Sequence, residues 1–272
     1  MVELAEKKRL KTRFPKNSKG QVSIFIIIAL VIIGVAVLIY FLSSPTEITA
    51  EFDEKNPRGF IQFCLEDKIE DTVEIVSSQG GSINPENYIL YQDNRIEYLC
   101  FTEEYYRTCV VQQPLLKSHI ESEIENEIKE EVINCFNELE ESYTRRNYNV
   151  NLEQGKTRVE LLPKRVVSSF DYVLTVTKAE TERHDSFDIV LNNNLYELVG
   201  ITNSIIDWET TYGDAETTVY MTYYKDLKVE KKKQTDGSTI YILTDKNNEN
   251  KFQFASRSVA WPPGYGEAGV AA

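Results

Sequence analysis

The stretch FIQFCLEDKIEDTVEIVSSQGG, Phe60 to Gly81, places Phe60, Ile61, Cys64, Leu65, Ile69, Val73 and Val76 at helical spacing. Side chains three and four residues apart share a helix face, so the stretch predicts an amphipathic helix. Gly80-Gly81 ends it, because glycine enters the left-handed backbone region at little cost.

Working outward, a second helix is predicted after Pro114, with Leu116, Ile120, Ile124, Ile128, Val132 and Phe136 recurring every four residues and Glu or Lys between them. Cys135 lies beside that stripe as Cys64 lies beside its own. Packing the two apolar faces together would bring these cysteines within reach of each other. Between the helices, Tyr88 to Gln92, Arg95 to Phe101 and Tyr105 to Val111 read as short strands. An antiparallel pair closed near Glu104 and Tyr105 sets Cys100 opposite Cys109. The expected pairing is therefore nested, Cys64 with Cys135 and Cys100 with Cys109. Four cysteines without a C-x2-C pair do not suit zinc.

Downstream of Asn147 the pattern changes to alternation. Tyr148, Val150 and Leu152, then Val159 and Leu161, then Val166-Val167 and the run Phe170 to Thr177 read as strands. Ser186 to Thr210 reads as one long helix capped by Asp185 or Ser186. Thr217 to Tyr224, Leu227 to Lys233, Thr239 to Thr244 and Lys251 to Ala255 read as strands, with Asp236-Gly237 a hairpin turn. The expected fold class is α+β: a two-helix module with a small β-meander over residues 45–145, and an antiparallel sheet covered by a helix over residues 146–258. Residues 259–272, rich in Pro and Gly, read as a flexible tail.

Upstream of the body, no charged residue occurs from Val22 to Leu42, and most side chains there are Ile, Leu, Val or Phe. At about 1.5 Å per residue, a helix of that length spans roughly 31 Å, the thickness of the bilayer's hydrocarbon core. Residues 21–44 are therefore expected to be a transmembrane helix. Seven Lys and Arg stand before it in residues 1–20, against two acids, which by the positive-inside rule keeps that leader cytoplasmic and sends the body outside. A secretory signal has a shorter apolar region ending in an A-x-A-like site, which neither Ser43-Ser44-Pro45 nor Ile48-Thr49-Ala50 supplies.

The junction Lys19-Gly20-Gln21-Val22-Ser23, followed directly by the apolar run, resembles the class III signal of archaeal type IV pilins and related surface proteins. The resemblance implies a prepilin peptidase cutting on the cytoplasmic side, with Gly20 the last residue removed and Gln21 the first of the mature chain. Many members carry Glu at the fifth mature position, where this chain has Phe25. A plain signal anchor, with Gly20 as a flexible junction, remains the alternative. The order of features also resembles membrane-anchored surface proteins of small-genome archaea, on Cys64-Leu65, Gln79-Gly80-Gly81, Cys135 and Phe252-Gln253-Phe254-Ala255.

The sequence selects no reaction. The body carries 41 acidic residues after Pro45 against 23 basic ones, a balance that repels nucleic acid. His119 and His184 read as surface histidines, and the acids of Glu121 to Glu131 as a solvated helix face rather than a glycosidase pair. Asp245 to Asn250 begins like a calcium loop but has Asn250 where that loop needs Gly. Tyr220, Tyr223, Tyr224 and Tyr241 read as half-buried sheet positions, with an exposed sugar-stacking or interface surface as the alternative. The expectation is a non-enzymatic, single-pass surface protein of the cell membrane without cofactor or metal, a pilin-like subunit or adhesin. Its partners would be the lipid bilayer and other proteins or copies of itself. The alternatives are a tethered envelope hydrolase and an accessory subunit of a secretion or envelope complex.

Overall fold

The computed structural model describes residues 27–35 and 53–260. Residues 27–35 are helical (α1) and form part of a unit separate from the body. The leader, the Gly20–Gln21 junction, both ends of the expected span and residues 261–272 lie outside the described residues.

The first body helix is α2 (Pro57–Ser78). Asn56 caps it by accepting a hydrogen bond from the Gly59 N–H at 2.9 Å, and Pro57 occupies the first turn, where its missing N–H costs nothing. Gly80 and Gly81, at φ of 87° and 111°, stop it, and the Gly81 N–H returns to the Val76 carbonyl at 2.8 Å. The next helix, α3 (Leu116–Thr144), buries Leu116, Ile120, Ile124, Ile128, Val132 and Phe136 as the periodicity predicts.

The two helices run antiparallel. Tyr143 of α3 donates to the Glu54 carbonyl at one end, Lys68 pairs with Glu127 at 2.7 Å in the middle, and Glu123 receives the Ile83 N–H at the other. Cys64 and Cys135 form a disulfide across this pair with Cα atoms 6.1 Å apart. A second disulfide joins Cys100 to Cys109, Cα atoms 5.3 Å apart, and both of its residues are buried.

Strands β1 (Tyr88–Tyr91), β2 (Asn94–Phe101) and β3 (Val110–Val111) follow α2. Beyond α3 come β4 (Asn149–Glu153), β5 (Thr157–Leu162), β6 (Arg165–Phe170), β7 (Val173–Thr177), β8 (Thr181–His184) and β9 (Phe187–Leu191), then helices α4 (Leu195–Tyr212) and α5 (Thr218–Tyr223). The last strands are β10 (Leu227–Lys233), β11 (Ser238–Asp245) and β12 (Lys251–Arg257). The largest sheet has the order β1-β2-β12-β11-β10 with β3 on β2, and two three-stranded sheets have the orders β4-β7-β8 and β5-β6-β9. The fold is α+β.

Several expectations are corrected. The boundary drawn at residues 145 and 146 does not separate two cores, because β2 pairs with β12 in parallel and puts the cysteine-bearing strand in the sheet of the C-terminal half. That parallel pairing also makes the sheet mixed rather than antiparallel. Ser186 to Thr210 is a strand followed by a helix: Phe187 and Ile189 alternate inward in β9, and α4 starts at Leu195, whose N–H donates to the Asn193 side chain at 2.9 Å. Thr217 to Tyr224 is the short helix α5, whose start is fixed by Glu216 accepting from the Thr218 N–H at 2.9 Å and its hydroxyl at 2.6 Å. Most of Tyr105 to Val111 is loop. Val259, assigned to the tail, is buried and bridges to Arg107.

The core is continuous from the helix pair into the strands of the second half. Phe136 of α3 stacks on Tyr172 with ring centroids 4.0 Å apart and meets Phe187 edge-on at 5.0 Å. Such aromatic pairs contribute about 0.5–1.5 kcal/mol beyond burial.

Candidate functional site

A cleft of about 380 Å³ opens between α4, α5 and the start of β10. Its floor is Leu198, Ile201 and Leu227, all buried, with the exposed Gly200 beside them. Tyr220 from α5 and Tyr224 from the turn after it line the same cleft. Ser204 and Tyr220 share a hydrogen bond at 2.8 Å, which ties the two helices together. At the mouth, the Asn194 amide donates to Asp245 at 2.7 Å, and Asn250 donates to Asn194 at 2.9 Å. Glu197 accepts from the Lys164 N–H at 3.0 Å. Apolar walls with a few ordered polar groups are the usual character of a small-molecule site.

The strand reading of the tyrosines fails for three of the four. Tyr220 and Tyr223 lie on α5, Tyr224 caps it, and Tyr223 and Tyr224 are exposed. Tyr241 alone is a buried sheet residue. Its hydroxyl donates to the buried Glu209, and its pKa is pushed well up, by burial first and then by the Glu209 charge and hydrogen bond. Glu209 also receives the Ala215 N–H and the Ser256 hydroxyl, each at 3.1 Å.

A second groove, of about 550 Å³, lies between α2, the β1–β2 turn and β10–β12, and is lined mostly by polar side chains such as Glu70, Glu74, Lys232 and Gln253.

His119 is not the bare surface histidine expected. Its Nε2 lies 2.8 Å from the Ser82 hydroxyl, and Ser82 lies 2.5 Å from the buried Glu97 carboxylate. Burial first, opposed by hydrogen bonds from Ser82 and Gln113, raises the Glu97 pKa. A serine beside a histidine is the pairing a nucleophile needs, but here Ser82 is itself buried and sits between base and carboxylate, whereas a triad puts the histidine in the middle. The grouping is a buried polar bridge from the end of α2 to the start of α3. Sequence offered one signal for it, Ser82 immediately after Gly80-Gly81, and none for Glu97.

The acids of α3 also do more than face water. Glu121 accepts from the Leu161 N–H at 2.7 Å, Glu123 from Ile83, and Glu127 pairs with Lys68, so they tie α3 to β5, to the α2 exit and to α2. His184 is half-buried, and its Nε2 has no hydrogen-bond partner among the described residues. The Asp245 to Asn250 turn is closed on itself, with Asp245 accepting from the Asn247 N–H at 2.8 Å and from Asn194. Glu131 lies near Cys64 and Cys135, but both sulfurs are spent in the disulfide.

Comparison with family models, with curated proteins and with solved structures finds no match. The chain's own chemistry therefore carries the functional reading.

Proposed function

We propose that this chain is a single-pass membrane-anchored protein whose acidic, disulfide-bonded body sits outside the cell and acts by binding rather than catalysis. The observation that carries the reading is the uncharged apolar run from Val22 to Leu42 behind seven Lys and Arg, with all four cysteines on its far side. Two disulfides suit an oxidising compartment. No described helix is long and apolar enough to cross a membrane, since only nine residues of α1 are described. Those nine nonetheless expose Ile27, Leu30, Ile32 and Ile33 by about 60%, a surface that suits lipid better than water. The binding reading draws on the α4–α5 cleft and on the enclosure of Ser82.

The finer form of the proposal is a pilin-like leader cut between Gly20 and Gln21, on the Lys19-Gly20-Gln21 junction. The deciding experiment is the mature N-terminus and intact mass of the non-reduced protein recovered from membranes, together with protease protection of right-side-out cells. A start at Gln21 with a protease-accessible body is expected for the processed leader, and a start at Met1 or Val2 for a plain anchor. A start beyond Leu42, or a body shielded from protease, would sink the anchored outside topology.

A further inference from the structure

We propose that the cleft between α4 and α5 binds a neutral saccharide. The inference rests on the reading of the body as a binding module and names its ligand class.

The first reason is Gly200. It lies in the interior of α4, where glycine is disfavoured because the helix must restrict its large backbone freedom. Packing does not explain it: a Cβ at this position would meet nothing within 4 Å. What the missing side chain provides is room in the cleft that Gly200 lines.

The second reason is the pairing of surfaces. Tyr220 and Tyr224, with Ile201 and Leu227, offer flat and apolar contact. Asn194 and Asp245 hold each other at the mouth before any ligand arrives, and Ser204 and Tyr220 add hydroxyls already fixed to each other. A pyranose ring has the matching character, with apolar C–H faces for aromatic rings and vicinal hydroxyls that both donate to carboxylates and accept from amides.

The third reason is charge. Glu197, Asp226 and Asp245 face a single Lys225, so a phosphate or carboxylate ligand is disfavoured. Glu197 and Asp245 already accept hydrogen bonds from the Lys164 N–H, the Asn194 amide and the Asn247 N–H, neutral donors of the kind a sugar hydroxyl supplies, and each carboxylate has further lone pairs for more of them. A neutral ligand rich in hydroxyls fits that set, and a diamine is the competitor the test sets against it.

The test uses the full chain in lipid nanodiscs, which avoids sugar-based detergents. Saturation-transfer NMR and calorimetry are run with glucose, mannose, galactose, N-acetylglucosamine and their disaccharides, alongside putrescine and inorganic phosphate. At least one saccharide should bind with millimolar or better affinity. Tyr224→Ala should weaken that binding by about tenfold, the loss of roughly one stacking contact. Gly200→Leu should abolish it, and Leu115→Ser, on an exposed residue before α3, should leave it intact. The proposal is overturned if no saccharide in the panel binds at millimolar concentration, if binding survives both cleft variants, or if putrescine or phosphate binds in the saccharide's place. Binding in nanodiscs is read whichever way the chain enters the membrane, so failure here leaves the anchored topology standing, and failure of the topology leaves this result standing.

Discussion

Glu97, at the end of the α2–α3 pair, and Glu209, on α4 above the large sheet, are both buried carboxylates, and they are held in different ways. Glu97 receives one short hydrogen bond from Ser82 and a long one from Gln113 at 3.4 Å, and it shares its surroundings with Glu123. Burial therefore dominates, and its pKa rises. Glu209 gathers two hydroxyls and a backbone N–H from three separate segments. It acts as a joint. The number of donors aimed at a buried carboxylate, more than its depth, decides whether it strains the fold or ties it together.

Three predictions sharpen that contrast. The largest effect belongs to the helix pair, whose strongest hold is covalent rather than polar. Replacing Cys64 and Cys135 together by alanine should cost about 4 kcal/mol on the chain-entropy account of a loop this long, read from the denaturant midpoint with Cys100–Cys109 intact. A loss under about 1 kcal/mol would mean that packing alone holds the pair.

At the other site, Glu209→Ala strands the Tyr241 and Ser256 hydroxyls and the Ala215 N–H, and should cost about 3 kcal/mol, with Glu209→Gln losing much less. Equal losses for the two would mean that the charge, not the acceptor geometry, matters there.

The smallest effect is a pH dependence. A carboxyl whose folded pKa lies above its ordinary value of 4.5 contributes stability below that value and loses it as pH rises through the folded pKa. Glu97→Gln should therefore match the parent protein in acid and gain on it as pH climbs toward neutrality. Glu54, Glu216 and Glu230 have pKa values lowered chiefly by hydrogen bonds from Tyr148, Thr218 and Lys228, which gives the opposite slope. They are unchanged in the variant and cancel from the difference between the two proteins. A difference independent of pH would show that Glu97 does not carry the burial cost.

The helix pair was legible because everything needed to read it is local. Four-residue recurrence from Leu116 to Phe136 sets the buried face, and the place of each cysteine beside its stripe puts Cys64 near Cys135. The α4–α5 region was not legible. Thr217 to Tyr224 has the composition of a strand, yet Glu216 caps it as a helix and the sheet edge is taken by β10, an override of local preference by tertiary context. The cleft went unseen for the same reason, since Gly200 and Ser204 of α4 meet Tyr220 of α5 and Asp245 at the end of β11, three separate places in the chain.

By itself the sequence determined the apolar segment with its basic flank, the α+β class and the two helices that the first disulfide joins, because hydrophobic periodicity and charge asymmetry act over a few turns or a few residues. Tertiary structure alone decided that β2 runs parallel beside β12, that Glu97 and Glu209 are buried, and that α5 is a helix facing a cleft. Each of those depends on which distant backbone or side chain arrives to satisfy a polar group removed from water, and one-dimensional order does not contain that information.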